Sequence, residues 1–382
     1  MKFLHLSDLH LGKRVNDVSM LEDQKFILEQ METIIAEETP DAVLIAGDVY
    51  DKAVPSAEAV ELLDDFLCRL SAMKQQVFVV SGNHDSPERL AFASRLIDAS
   101  GIHLSRVYEG AITPITLHDA HGPIHIYMMP FVKPAVVRYW FPDEKIENYT
   151  DAFRVAVQKM NVDTTERNVL VAHQFVTGEN GAAGILHSDS EDISIGGLDN
   201  VDAAVMAAFD YVALGHIHGP QNIAGYPHIR YCGTPLKYSF SEISHEKSIT
   251  RVVMGEKGNC QVSTIPLHPK HDMREIRGKF AELTDQKNYV GTQTDDYLRV
   301  ILTDEQDVLE ALARLRTVYP NIMHLEYDNE RTRAVQKPIV AAAAERMPLD
   351  LFSDFFHQCN GKEMSEEQTK IVTELIQKIW EK

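Results

Sequence analysis

Asp, Asn and His recur along this chain in short polar clusters, most of them where an apolar, strand-like run ends. In order they are Asp8-Leu9-His10, Gly47-Asp48, Gly82-Asn83-His84-Asp85, His173 and Gly215-His216-Ile217-His218. Phosphodiester cleavage at neutral pH needs an activated nucleophile, charge neutralisation and in-line geometry. Two divalent ions about 3.5–4 Å apart supply all three. Such a pair asks for hard carboxylate oxygens, imidazoles and one bridging carboxylate. Asp8 and His10 stand two residues apart, so an extended backbone puts both on one face. Asp48 ends the next apolar run in a Gly47-containing turn, where its carboxylate can bridge. Asn83 offers a neutral carbonyl, useful where too many carboxylates would repel a phosphate. His173 and His216 can complete one ion's shell and His218 the other's, while His84 is better placed to face substrate than metal.

Each cluster alone has a plain reading. Asp-X-His makes an ordinary turn, Gly-Asp a loop start, and Gly-Asn-His-Asp a capped turn. His173 suits a core, and Gly-His-Ile-His a surface chelate or a chance pair. All of these must hold at once to dismiss the site, so the set points to a metal-dependent phosphoesterase. Asp51 and Asp85 lie near the cluster and are expected to accept from imidazole N–H groups. Lys13 and Arg14 follow the first cluster and suit either a phosphate backbone or a solvated loop. His5 reads as structural. His103, His121, His125 and His187 have no motif around them.

These residues need rigid elements beneath them. Strands are expected at residues 3–6, 42–46 and 77–80, alternating with helices at 21–38, 56–73 and 87–99. This β-α-β-α-β order predicts a largely parallel, buried sheet. A β-rich part follows, with strands at 124–129, 169–172, 211–214, 228–232 and 248–254. The expected class is α/β: two mixed sheets packed face to face and flanked by helices. Composition shifts near Pro269, so the chain divides into a catalytic domain (1–270), a small α/β capping domain (271–330) and a linker with a helical tail (331–382). Within the capping domain, 296–302 and 322–327 read as strands and 305–318 as a helix. The tail's two amphipathic patterns break at Asn360-Gly361, which suggests a helix-turn-helix docking element.

The 382 residues suffice for a sizeable core, and the 44% hydrophobic and 25% charged fractions are ordinary for a soluble protein. No apolar run approaches the length of a membrane span, and the N-terminus lacks a signal peptide's features, so a cytoplasmic protein without membrane contact is expected. Cys68, Cys232, Cys260 and Cys359 are scattered and read as buried free thiols. A formal charge of −20 argues against broad, nonspecific nucleic-acid binding by the isolated chain. Carboxylates that hold metal are neutralised by it, so a polyanionic substrate remains compatible.

The clusters, with their flanks His5-Leu6-Ser7-Asp8-Leu9-His10-Leu11-Gly12, Ser81-Gly82-Asn83-His84-Asp85-Ser86 and Ala213-Leu214-Gly215-His216-Ile217-His218, resemble the calcineurin-like metallophosphoesterases. Within them the closest resemblance is to the SbcD family, nuclease subunits of bacterial SbcC–SbcD complexes. The stretch from Tyr231 through Gly233-Thr234-Pro235 to Glu242, and the tail from Leu349-Asp350-Leu351-Phe352, match the same pattern. The resemblance spans nearly the whole chain. It implies a manganese-dependent nuclease, 3′-to-5′ on duplex ends and endonucleolytic on hairpins and single strands. Magnesium has weaker support. Carried over by position, Asp8, His10, Asp48 and His218 would hold one manganese, and Asp48, Asn83, His173 and His216 the other. His84 would assist departure of the leaving group. The implied partners are DNA and an SMC-like ATPase of the SbcC type that binds the tail. They would act in a heterotetramer built on a homodimer through residues 56–73 and 87–99, associated with the nucleoid. Some relatives carry histidine where Asp51 stands, so no role transfers to that side chain. Two rivals remain open: a small-molecule phosphodiesterase or phosphatase of the same fold, and a scaffold that docks an ATPase without catalysis.

Overall fold

The computed structural model describes residues 1–178, 181–191, 199–330, 332, 349, 352–353, 355–357 and 363–380. Its first strands are the apolar runs β1 (Lys2–Leu6), β2 (Ala42–Ala46), β3 (Gln76–Val80) and β4 (Ile102–Leu104). Then come β5 (Ile115–Asp119), β6 (Gly122–Met129), β7 (Arg167–His173), β8 (Tyr211–Gly215), β9 (Gln221–Ile223), β10 (Tyr226–Tyr231), β11 (Ser248–Met254) and β12 (Cys260–Pro266). They form two six-stranded sheets, ordered β12-β11-β1-β2-β3-β4 and β9-β10-β8-β7-β6-β5. Strands β1 to β4 are mutually parallel, with Leu6 beside Ile45 and Ala46 beside Val80. In the second sheet β6, β7, β8 and β10 are parallel, with Gly215 beside His173.

Period-2 alternation sends Phe3, Leu44 and Phe78 of the first sheet against Ile126, Val171 and Tyr211 of the second. The central strands β2 and β8 are apolar and buried along their whole length, as parallel strands covered on both faces are. Leu170, Val212 and Leu214 turn outward beneath Phe153 and Ala156 of the helix Tyr149–Lys159. Helix α1 (Leu21–Glu38) buries Ile27, Met31 and Ile35. Helix α2 (Ala57–Ala72) buries Leu63, Phe66 and Leu70 and is capped by the Ser56 hydroxyl, which accepts from the Ala59 N–H. The observed architecture is the expected helix-flanked pair of mixed sheets.

Four local expectations are corrected. Residues 87–99 do not form one helix. The short helices Pro87–Leu90 and Ser94–Ile97 are separated by a turn in which Ala93 takes φ 61°, the left-handed region. Residues 305–318 yield only the helix Ala311–Leu315, since Glu310 is left-handed at φ 55°. Strand β11, read with the β-rich part after residue 101, lies antiparallel to β1 in the first sheet, a long-range pairing that no local pattern encodes. Among the described residues only Cys232 is a buried thiol; Cys68 is exposed and Cys260 half-buried. Cys359, most of the linker at 331–348 and the Asn360-Gly361 break lie outside the described residues.

Met1–Glu275 with Asp295–Arg299 form one compact unit, and Ile276–Thr294 with Val300–Lys382 a second. Elements of the second include the helices Phe280–Leu283 and Gln286–Tyr289, the strand Ile322–Tyr327 and the helix Glu366–Trp380. Among the described residues no helix is long and apolar enough to cross a membrane.

His5, buried on β1 between the sheets, shows how tightly this core is specified. Its Nε2–H donates to the Leu214 carbonyl at 3.2 Å, so its Nδ1 accepts from the Tyr211 hydroxyl at 2.9 Å. Burial, with Arg230 nearby, lowers its pKa from 6.5 to about 3. The unfolded chain therefore binds a proton that the folded chain refuses, and His5 withdraws stability as pH falls from 6.5 towards 3. Urea titrations across that window should show a shallower loss for His5→Asn than for the parent. Equal slopes would contradict the buried neutral imidazole.

Candidate functional site

Parallel sheets gather the carboxyl ends of their strands at one edge, where ligands bind. Asp8 follows β1, Asp48 follows β2, Asn83 follows β3, His173 ends β7 and His216 follows β8. The loops then lace together. The N–H groups of Asp8, His10 and Leu11 donate to the carbonyls of Gly47, Asp48 and Val49 at 3.0, 2.9 and 2.9 Å. This lacing overturns the extended Asp8–His10 segment expected from spacing. Asp8 and His10 are left-handed, at φ 53° and 45°, and their side chains converge through coiling. Asp48 at φ 47° and His216 at φ 101° share the strain, on the order of 1–3 kcal/mol each. Two glycines permit the close approach. A Cβ at Gly47 (φ +85°) would stand 2.3 Å from His173 Nδ1, and one at Gly82 would stand 2.1 Å from Asp48 Oδ1.

Donor atoms of Asp8, His10 and His218 lie within 4.8 Å of one another, as do those of Asp8, Asp48 and His173 and those of His10, Asp48 and His84. Asp48 Oδ2 is 3.6 Å from His10 Nε2 and 3.4 Å from His173 Nε2. Asn83 Oδ1 sits 2.9 Å from His173 Nε2 and 3.0 Å from His216 Nδ1. The Nε2 atoms of His10 and His218 face each other at 3.3 Å. Burial sets the protonation. It pushes the Asp8 carboxyl above its ordinary value, against the pull of His173 and His218. It also acts on Asp48, but His173, His10 and His84 outweigh it and hold that carboxyl well below the usual range. Burial would likewise discharge His173, yet Asp48 and Asp8 raise its pKa to about 9. Burial and then His173 bring His216 down to about 3, and burial holds His10 well below 6.5.

Asp8 Oδ2, His10 Nδ1 and His216 Nε2 are buried without a hydrogen-bond partner. An unmet buried polar atom costs about 1–3 kcal/mol, so orphans concentrated here ask for an explanation. Neutral His10 and His216, an ionised Asp48 and lone pairs turned on one another match the state in which a divalent cation is bound, and His173 would give up its proton on binding. The oxygen and imidazole donors fit first-row divalent ions. The cluster is thus suited to metal, and each ligand candidate from the sequence is present in it.

Comparison with known proteins agrees. Residues 1–220 match the model of the calcineurin-like phosphoesterases, and residues 269–360 that of the type 5 capsule protein repressor C-terminal domain. A Staphylococcus epidermidis protein named as a subunit of the nuclease SbcCD is 32% identical over 329 residues, 85% of each chain. This chain belongs to the SbcD family of calcineurin-like phosphoesterases. A crystal structure of TT1561 from Thermus thermophilus is a more distant likeness, at 13% identity and TM-score 0.37 over 69% of this chain and 98% of that one. The fold and donor set make this SbcD-family member a metal-binding phosphoesterase.

Around the cluster of this SbcD-family chain, His84 stands apart. Its side chain is 24% exposed, whereas that of the neighbouring Asp48 is 3% exposed. Its Nδ1–H donates to the Asp51 carbonyl at 2.9 Å, and its Nε2 lies 3.9 Å from Asp48 Oδ2. Asp85 does not accept from an imidazole as expected. Its carboxylate takes the N–H groups of Val49, Tyr50 and Gly82 at 3.1, 2.9 and 2.8 Å, because three loop amides turn inward with no other acceptor. The Asp51 carboxylate pairs with Lys13 Nζ at 2.8 Å and stays 3.8 Å from His10 Nδ1, so the main-chain carbonyl of Asp51, not its side chain, serves His84. Arg14 donates to the Asp17 carbonyl. Lys13 and Arg14 line a groove of about 500 Å³ with Ser190, Tyr238 and Arg299.

Sequence reasoning missed two supports. Gln24 Nε2 donates to the His10 carbonyl at 2.8 Å and to the Tyr238 hydroxyl at 3.0 Å, and Tyr238 donates to the Leu9 carbonyl at 2.7 Å. Behind His218 lie Ser190, Glu242 and Lys247. The Tyr231–Glu242 stretch carried a family signal, but nothing local told which member turned inward. Gly82→Ala should weaken divalent-metal binding about tenfold or more in calorimetric titration, because its Cβ displaces Asp48. Unaltered affinity would show that the Gly82–Asp48 approach is not needed.

Proposed function

We propose that this chain is the nuclease subunit of an SbcC–SbcD-type complex, hydrolysing DNA phosphodiesters with two manganese ions. Magnesium is the lesser alternative. One observation carries the reading: five strand ends converge on a buried oxygen-and-imidazole cluster in a chain whose relative, matched over 85% of its length, is named a nuclease subunit. Asp8, His10, Asp48 and His218 would hold one ion, and Asp48, Asn83, His173 and His216 the other. Such a pair would supply an activated water at neutral pH and offset the phosphate's charge.

The chain's own groups do the rest. Asp48 suits the shared position because Oδ1 is held by the His84 N–H at 2.9 Å while Oδ2 faces both His10 and His173. His84 is pinned through Nδ1 and presents Nε2 at the open side of the cluster, where it protonates or stabilises the leaving oxygen. Lys13 and Arg14 guide a phosphate backbone along their groove. The activities expected are 3′-to-5′ digestion of duplex ends and endonucleolytic opening of hairpins and single strands, in the cytoplasm at the nucleoid. At −20 the chain relies on a partner for basic surface, and an SMC-like ATPase supplies it. Phe92 and Leu96, each 81% exposed, support homodimerisation through residues 56–73 and 87–99. Phe352, Phe355, Ile371 and Leu375, all exposed, support ATPase docking on the tail.

His84→Gln should bind manganese as the parent does while cleavage of a labelled blunt duplex and a hairpin falls about 10²–10⁴-fold. Parental cleavage rates would remove His84 from the mechanism. Hydrolysis of nitrophenyl phosphodiesters with none of DNA would favour a small-molecule enzyme instead. Phe355→Asp with Leu375→Asp should abolish co-purification with the ATPase and spare basal cleavage. Retained co-purification would move the dock elsewhere.

A further inference from the structure

Buried charge away from the cation cluster is costly unless every donor and acceptor is served. Glu242 and Lys247, at 0% and 6% exposure, form such a pair. The Lys247 ammonium has three protons and three acceptors: Glu242 Oε2 at 2.6 Å, Thr234 Oγ1 at 2.7 Å and the His218 carbonyl at 2.9 Å. The carboxylate of Glu242 can only accept. Ser190 Oγ lies 2.5 Å from Glu242 Oε1, so its single proton goes there. The Ser190 oxygen must then accept from His218 Nδ1, 2.6 Å away. Ser188, at 2.8 Å from Ser190 Oγ, fits as a second donor to it. The main chain of His218 is held at both ends, its N–H by Glu191 Oε1 at 2.7 Å and its carbonyl by Lys247.

We infer that Ser190, Glu242 and Lys247 form a relay that fixes His218 as the Nδ1–H tautomer and sets the affinity of one of the two cation positions. Nε2 is thereby left as a lone pair, facing His10 Nε2 and grouped with Asp8. The other histidines are served differently. His173 and His84 give Nδ1–H to the main-chain carbonyls of Ala46 and Asp51, which carry no charge. Behind His218, by contrast, a carboxylate stands one hydroxyl away, the kind of outer partner that fixes a ligand imidazole's orientation and tautomer. These are positioning residues: they act through His218. The inference rests on the proposed role of His218 as a ligand.

The test is a calorimetric titration of manganese into the full chain. The parent should show two steps. Ser190→Ala and Glu242→Gln should each weaken one step about 10–100-fold and leave the other within about twofold, while Ser190→Thr restores it. Both steps unchanged in Ser190→Ala would overturn the relay. So would equal weakening of both steps without rescue by Ser190→Thr, the mark of general loosening. Should Glu242→Gln fail to fold, Ser190→Ala still decides, because it removes one hydroxyl from a half-buried loop. DNA cleavage by the parent is scored separately, so loss of the nuclease reading leaves the titration's bearing on the relay intact.

Discussion

Two carboxylates and several imidazoles, most of them buried, are packed in overlapping triads whose donor atoms lie within 4.8 Å of one another. Such crowding is unfavourable in a chain that offers these groups nothing but each other. The surrounding architecture can be understood as what makes it tolerable. Partial compensation comes from within: His173 is kept charged beside Asp48, while His10 and His216 are kept neutral. The remaining lone pairs, above all Asp8 Oδ2, are left for cations.

The scaffold is stiff where this demand is greatest. Parallel strands deliver the side chains at fixed spacing, and the loops that carry them are bound to each other by main-chain hydrogen bonds rather than left to solvent. Left-handed backbone recurs at Asp8, His10, Asp48 and His216, so local strain coincides with the chemistry. Asp85 gathers three loop amides, and Gln24 with Tyr238 holds the Leu9–His10 carbonyls. A site assembled from both sheets in this way has few degrees of freedom left through which to lose its geometry. His84, with its side chain 24% exposed and its ring held by one hydrogen bond, is more open than the neighbouring Asp48, at 3%.

The acidic chain and the nuclease reading are reconciled by division of labour. The chain carries a formal charge of −20, whereas Lys13, Arg14 and Arg299 gather in one groove. Under the proposed nuclease reading, affinity for a polyanion would depend on bound metal and on a partner's surface, with little long-range attraction from the isolated chain.

Periodicity and motif chemistry by themselves determined much here. Strands β1 to β3, helices α1 and α2, and Asp8, His10, Asp48, Asn83, His173, His216 and His218 were legible because each is a local pattern: an apolar run, a capped helix, a polar residue at a strand's end. Residues 87–99 and 305–318 misled, because helical periodicity survives in sequence where a left-handed Ala93 or Glu310 breaks the element. The extended geometry assigned to Asp8 and His10 failed for a related reason: hydrogen bonds to another loop overrode the local preference. Asp85 looked like an imidazole's acceptor and became a brace for amides, and β11 crossed to the first sheet. Ser190, Glu242 and Lys247 lie far from His218 in sequence or look unremarkable beside it. Residue type and spacing thus set which chemistry was possible. Only long-range pairing and burial decided which oxygen faces which nitrogen, because such contacts join distant segments, as where the His216 N–H meets the Asp8 carboxylate 208 residues away.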